Sequence, residues 1–105
     1  MGNENKVYIG TEMKLNISIE PLEGYTMDDY DFSVEVYVSP RKVVSVTKQE
    51  CLRVDENNYI VLLDTNLVGV GNLMCKVTAH IPDEDFEDGL RSEVSIIQTG
   101  ITIER

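Results

Sequence analysis

Aliphatic residues recur at every second position along much of the chain. From Met13 onward, Met13, Leu15, Ile17 and Ile19 alternate with Lys14, Asn16, Ser18 and Glu20. This period of two predicts a strand with one buried face, the aliphatic side pointing inward. Pro21 ends it, and the turn-forming stretches Pro21-Leu22-Glu23-Gly24 and Thr26-Met27-Asp28-Asp29 lead into a second alternation. There Phe32, Val34, Val36 and Val38 are interleaved with Ser33, Glu35, Tyr37 and Ser39 until Pro40.

A third strand is predicted around Val44, Val46 and Thr47, with Cys51 to Val54 as its continuation or as a short edge segment. Asp55-Glu56-Asn57-Asn58 is a dense turn signal. The β-branched and aliphatic run Tyr59-Ile60-Val61-Leu62-Leu63 behind it is short enough for a core strand rather than a helix. After Gly69 and Gly71, the clearest alternation of the chain places Leu73, Cys75, Val77, Ala79 and Ile81 on one face. Met74, Lys76, Thr78 and His80 fall on the other. Pro82 and the acidic loop Asp83 to Gly89 close that strand. Arg91 to Ile97 and Ile101 to Ile103 then form the last one, interrupted near Gly100 by a bulge or kink. No stretch carries the 3.6-residue period of a useful amphipathic helix. Short strands punctuated by Pro, Gly and Asp/Asn turns predict an all-β fold, an immunoglobulin-like antiparallel β-sandwich of about seven strands.

Length adds that this is one domain over residues 1–105, with a short N-terminal arm of about residues 1–9, because 105 residues suffice for a single core. Nineteen acidic residues against nine basic ones leave a net charge of −10, which repels phosphate backbones and anionic lipids. Neither nucleic acid nor a membrane is therefore expected as a partner. Lys48, Arg53, Arg91 and Arg105 are scattered among acids and build no basic stripe. Met1-Gly2 opens like a myristoylation site, but Lys6 stands where that motif needs Ser or Thr, and the N-terminus lacks a secretion pattern.

Candidate chemistry is sparse. Cys51 and Cys75 have neither a CxxC companion nor matching histidines, so free thiols are expected rather than a metal site, with a sandwich disulfide as the alternative. Asp83, Glu84, Asp85, Glu87 and Asp88 crowd around Phe86, but an EF-hand reading puts Asp88 at its obligatory Gly and Val94 at its bidentate Glu; a solvated loop is expected and no metal. Asp28, Asp29 and Asp31 beside Tyr25 and Tyr30 raise the thought of paired carboxylates for glycoside hydrolysis, yet turn capping explains acids at such places more simply. His80 is the only histidine, on a polar strand face, and no nucleophile motif surrounds any Ser or Cys. The glycines of Val68-Gly69-Val70-Gly71-Asn72 precede a strand and lack the followers of a nucleotide loop. No catalytic, cofactor-binding or metal residue is assigned, and no enzyme activity is expected.

Four phrases carry a family likeness: Ile9-Gly10-Thr11-Glu12-Met13-Lys14-Leu15, Gly24-Tyr25-Thr26-Met27-Asp28-Asp29-Tyr30-Asp31-Phe32, Asn58-Tyr59-Ile60-Val61, and Ile81-Pro82 through Leu90-Arg91. Together they resemble the small β-sandwich virion proteins of crAss-like phages, akin to the N-terminal domain of phage upper baseplate proteins. The resemblance implies a non-enzymatic bacteriophage structural protein of the head-fibre or capsid-decorating type, located in the virion and assembled in the host cytoplasm. It further implies self-association as a homodimer and contact with other virion proteins such as capsid or fibre subunits. A tail or baseplate adaptor is the neighbouring possibility, and a carbohydrate-binding module, weakened by the absence of Trp, is the alternative of a different kind.

Overall fold

A computed structural model describes residues 5–105. Its elements are eight strands, β1 (Asn5–Tyr8), β2 (Glu12–Ser18), β3 (Asp31–Tyr37), β4 (Val43–Thr47), β5 (Leu52–Arg53), β6 (Asn58–Asp64), β7 (Gly71–Pro82) and β8 (Leu90–Glu104), with single 3-10 turns at Lys48–Glu50 and Thr65–Leu67. They form two sheets of unequal width, one in the order β1-β8-β7-β3-β4 and one in the order β2-β6-β5. All pairings are antiparallel except β1 with β8, which is parallel. Among the described residues no helix is long and apolar enough to cross a membrane.

The alternation predicts the buried faces well. Leu15 and Ile17 of β2, Phe32, Val34 and Val36 of β3, and Leu73, Cys75, Val77 and Ile81 of β7 all enter one core. The two sheets meet at an aromatic pair: Phe32 of the wide sheet and Tyr59 of the narrow one pack edge to face, with ring centroids 4.9 Å apart at 78°. That geometry sets the positive ring edge of one against the negative face of the other. Arg53 lies over the Tyr59 ring, 5.6 Å from its centroid, and adds a cation–π contact to the aromatic pair.

The structure corrects one of the sequence expectations and refines three others. Cys51 to Val54 does not continue the third strand. Thr47 donates its N–H and its hydroxyl to the Glu50 carboxylate (2.9 and 3.0 Å), which closes a 3-10 turn and carries the chain over to the narrow sheet, where Leu52 and Arg53 pair with β6. The run Tyr59 to Leu63 is covered on one face only: Tyr59, Val61 and Leu63 are buried, while Leu62 points out of the narrow sheet. Ile19 lies beyond the end of β2 and is half-buried. In the arm, residues 5–8 dock as β1 against Ile101–Glu104, while the earlier part, with the Met1-Gly2 site, lies outside the described residues.

The interruption near Gly100 is a true bulge. Between the pairs Asn72/Thr102 and Met74/Gln98, β8 advances four residues while β7 advances two. Gly100 takes φ +78°, where a side chain would be strained, and Thr99 ties the bulge down by donating its hydroxyl to the Leu73 carbonyl at 3.0 Å.

The Tyr59 hydroxyl is buried without a hydrogen-bond partner among the described residues. A buried unpaired hydroxyl costs stability that its removal returns. Tyr59→Phe, which keeps the ring pair with Phe32, is therefore expected to raise stability by about 1 kcal/mol in urea denaturation; a loss of stability would mean that the hydroxyl is bonded after all.

Candidate functional site

Most polar side chains are committed to holding the loops. Asp29 accepts the Thr26 N–H (2.9 Å) and Asp31 accepts the N–H of Phe32 (2.9 Å), while Asp28 pairs with Arg53 at 3.2 Å. Lys48 donates to the carbonyls of Met27 and Tyr30 (2.6 and 2.8 Å), pinning the loop before β3. In the acidic hairpin between β7 and β8, Asp83 accepts from the Asp85 N–H (3.0 Å) and from Arg91 (3.2 Å), and Asp88 accepts the Leu90 N–H (3.1 Å). Acids at 28, 29 and 31 and at 83 and 88 thus act as turn and loop anchors. Asp55 does the same, and the Asn58 side chain, followed by the Asn57 N–H, holds its carboxyl below the usual carboxylate range. Among the described residues no three His, Cys, Asp or Glu side chains converge as a metal site would need.

His80 is half-buried on the outer face of the wide sheet, its Nδ1 3.2 Å from the Ser92 hydroxyl across the β7–β8 pair. By register His80 lies opposite Asp31 on β3 and Ser92 on β8, so one carboxylate, itself accepting the Phe32 N–H, faces it across the sheet. Cys51 and Cys75 are free and buried. Burial pushes both thiols above their ordinary value, reinforced at Cys51 by the Glu50 carboxylate and at Cys75 by Cys51.

The site that does stand out is a strand edge with a groove beside it. Three strands cannot cover five. Beyond the free edge of β2, the inner face of β8 has no strand above it, and a groove of about 700 Å³ opens there, floored by Ile17, Val77, Ala79 and Ile97, with Glu20 and Glu93 among its polar lining. In register with the buried Cys75, Val77 and Ile81, the inner face of β8 carries Ile97, Ser95 and Arg91, and Glu93 lies opposite Ala79. Polar residues are tolerated on this face because water reaches it. The opposite face inverts the usual rule: Val94 and Ile96 point outward and are 55% and 61% exposed. Every residue from Ser92 to Gln98 is exposed, on both faces alike.

Sequence reading named Arg91 to Ile97 as a strand but attached no role to it. The signal was present: between Arg91 and Gln98, Val94 and Ile96 fall opposite Thr78 and Lys76 on the outward face, and only Ile97 falls opposite the inward Cys75. Comparisons of the chain with protein-family models, with curated proteins and with solved structures find no match.

Neutral, buried thiols are poor nucleophiles. Their folded pKa lies above the unfolded one, so the stability they contribute is complete below about pH 8.5, the free-thiol value, and is lost as pH rises through the folded values. At pH 8 both thiols are expected to react slowly with Ellman's reagent until urea unfolds the chain. The urea midpoint should fall above pH 8.5, less steeply in Cys51→Ala/Cys75→Ala. Rapid labelling of the folded protein would contradict their burial.

Proposed function

We propose that the chain is a non-enzymatic structural component of a bacteriophage particle, a head-fibre or capsid-decorating subunit that works by docking rather than by turnover. The observation that carries this reading is the apolar free edge of β8. Folded proteins normally blunt such edges with charge, proline or a covering element, and a long exposed one is a template for another chain. The chemistry around it points the same way. The acids serve loop geometry, the thiols are buried, and the groove beside β2 is an open trough at two strand edges instead of a cleft with converging polar groups.

The strand order supports reading the sandwich as immunoglobulin-like. The chain crosses between sheets from β1 to β2, from β2 to β3, from β4 to β5 and from β6 to β7, with hairpins at β3–β4, β5–β6 and β7–β8. This is a Greek-key path in which β1 lies parallel to the last strand. On this reading the narrow sheet lacks the outermost strand that would pair with β2, and the groove occupies its place. The phage assignment itself rests on the likeness of the four phrases around Thr11, Tyr25, Tyr59 and Asp85 to crAss-like virion proteins.

Density-gradient particles from a producing culture, probed with an antibody raised against this domain, test the reading. The domain is expected to band with the particles in many copies, with immunogold on the head. Label at the tail would favour the adaptor role, and particles free of the protein would overturn the assignment.

A further inference from the structure

From the free edge of β8 we infer that two copies of this chain pair through that strand, antiparallel about a two-fold axis at Ser95, to join their wide sheets into one. The proposal deepens the building-block reading and rests on it for its biological meaning, but its geometry is argued independently.

The edge has defined ends. β1 occupies the outer side of β8 from Ile101 to Glu104, and β8 begins at Leu90. Among the described residues, the stretch without a partner on that side is therefore 90–100. Its midpoint is residue 95. A two-fold axis there sets Leu90 of one copy opposite Gly100 of the other, so the pairing uses that whole stretch and stops at Ile101, the first β8 residue paired with β1 among the described residues. An isologous contact of this kind closes on itself, since it uses the β8 edge of both copies.

Side-chain placement agrees with that register. On the outer face, Val94 of each copy comes opposite Ile96 of the other, gathering four exposed aliphatic side chains into one cluster across the joint. On the inner face, Glu93 comes opposite Ile97 and Arg91 opposite Thr99, so no like charges are opposed. Shifting the axis to Val94 would set Ile96 opposite Ser92 and break the cluster.

Charge selects a second copy over other occupants. The chain carries −10, so two copies repel wherever their acidic surfaces meet. Residues 90–100 hold one Arg and one Glu, a net of zero, and thus form a neutral strip on an anionic domain. The other edges lack this character. β4 is flanked by Arg41, Lys42 and Lys48, so self-pairing about its centre at Ser45 would set Lys42 opposite Lys48. The outward face of β2 is Lys14, Asn16 and Ser18, with nothing apolar to bury, and β5 is two residues long.

Cysteine cross-linking tests the register directly. Directly opposite residues of an antiparallel pair have Cα atoms about 4.5–5.5 Å apart, within the range of a disulfide. Ser95→Cys is expected to form a disulfide-linked dimer under mild oxidation. Ser92→Cys, equally exposed on the same edge, would lie about 20 Å from its own copy across the joint and should stay uncross-linked. By sedimentation equilibrium the unmodified protein should dimerise reversibly, and Ile96→Lys, with native circular dichroism, should weaken the dimer at least ~10-fold. A protein that stays monomeric up to about 1 mM, a range that would reveal even weak pairing, a dimer that Ser95→Cys does not trap, or equal cross-linking of both cysteine variants would each overturn the pairing. A monomer that still bands with particles would sink this inference alone, whereas a dimer absent from particles would sink only the phage assignment.

Discussion

Two sheets share one layer of side chains, and the narrower sheet decides how far that layer extends. Phe32 and Tyr59 lock the sheets together at the centre, where Val34, Val36 and Val61 are completely shielded from water. Burial of these aliphatic and aromatic faces is the main favourable contribution to folding. It acts only where both sheets are present. Past β2 the narrow sheet ends, and the wide sheet continues for the breadth of β8 without a lid. The overhang is thus a consequence of strand number, and every feature singled out as functional lies on it.

The same constraint explains the division of labour among polar groups. Where the core is closed, loops crossing its ends must satisfy their own backbone, and Lys48, Asp29, Asp55 and Asp83 do so at short range. Such residues are fixed by hydrogen bonds and leave little for substrate chemistry. On the overhang, among the described residues, the backbone of β8 from Leu90 to Gly100 is bonded to β7 alone, and Val94 and Ile96 beside that open edge project from the outer face of the sheet. A surface of that kind gains by adding a strand and has little other chemical use.

Much of the architecture was legible in the sequence because a period of two is a direct print of a half-buried strand. Leu15 and Ile17, Phe32 to Val36, and Leu73 to Ile81 take the faces their spacing predicts, and the bulge at Gly100 falls where the glycine interrupts the last alternation. Local pattern fails where the deciding interaction is remote. The turn at Lys48–Glu50, which sends Leu52 and Arg53 to the other sheet, depends on a Glu50 contact back to Thr47. Whether β6 is buried on one face or two depends on how many strands flank it and on what covers them. The docking of β1 depends on the far end of the chain. The free edge of β8 was least legible of all, because a strand's sequence shows which residues are apolar and not whether a neighbour will lie beside them.

Residue-resolved amide hydrogen exchange on a dilute, monomeric sample tests the central claim most directly, since it reports which side of β8 is bonded. Slow and fast amides should alternate between Arg91 and Ile97, the slow ones directed at β7 and the fast ones at the open side. Uniform protection through this segment at dilution would contradict the account, because it would mean that the chain covers its own edge.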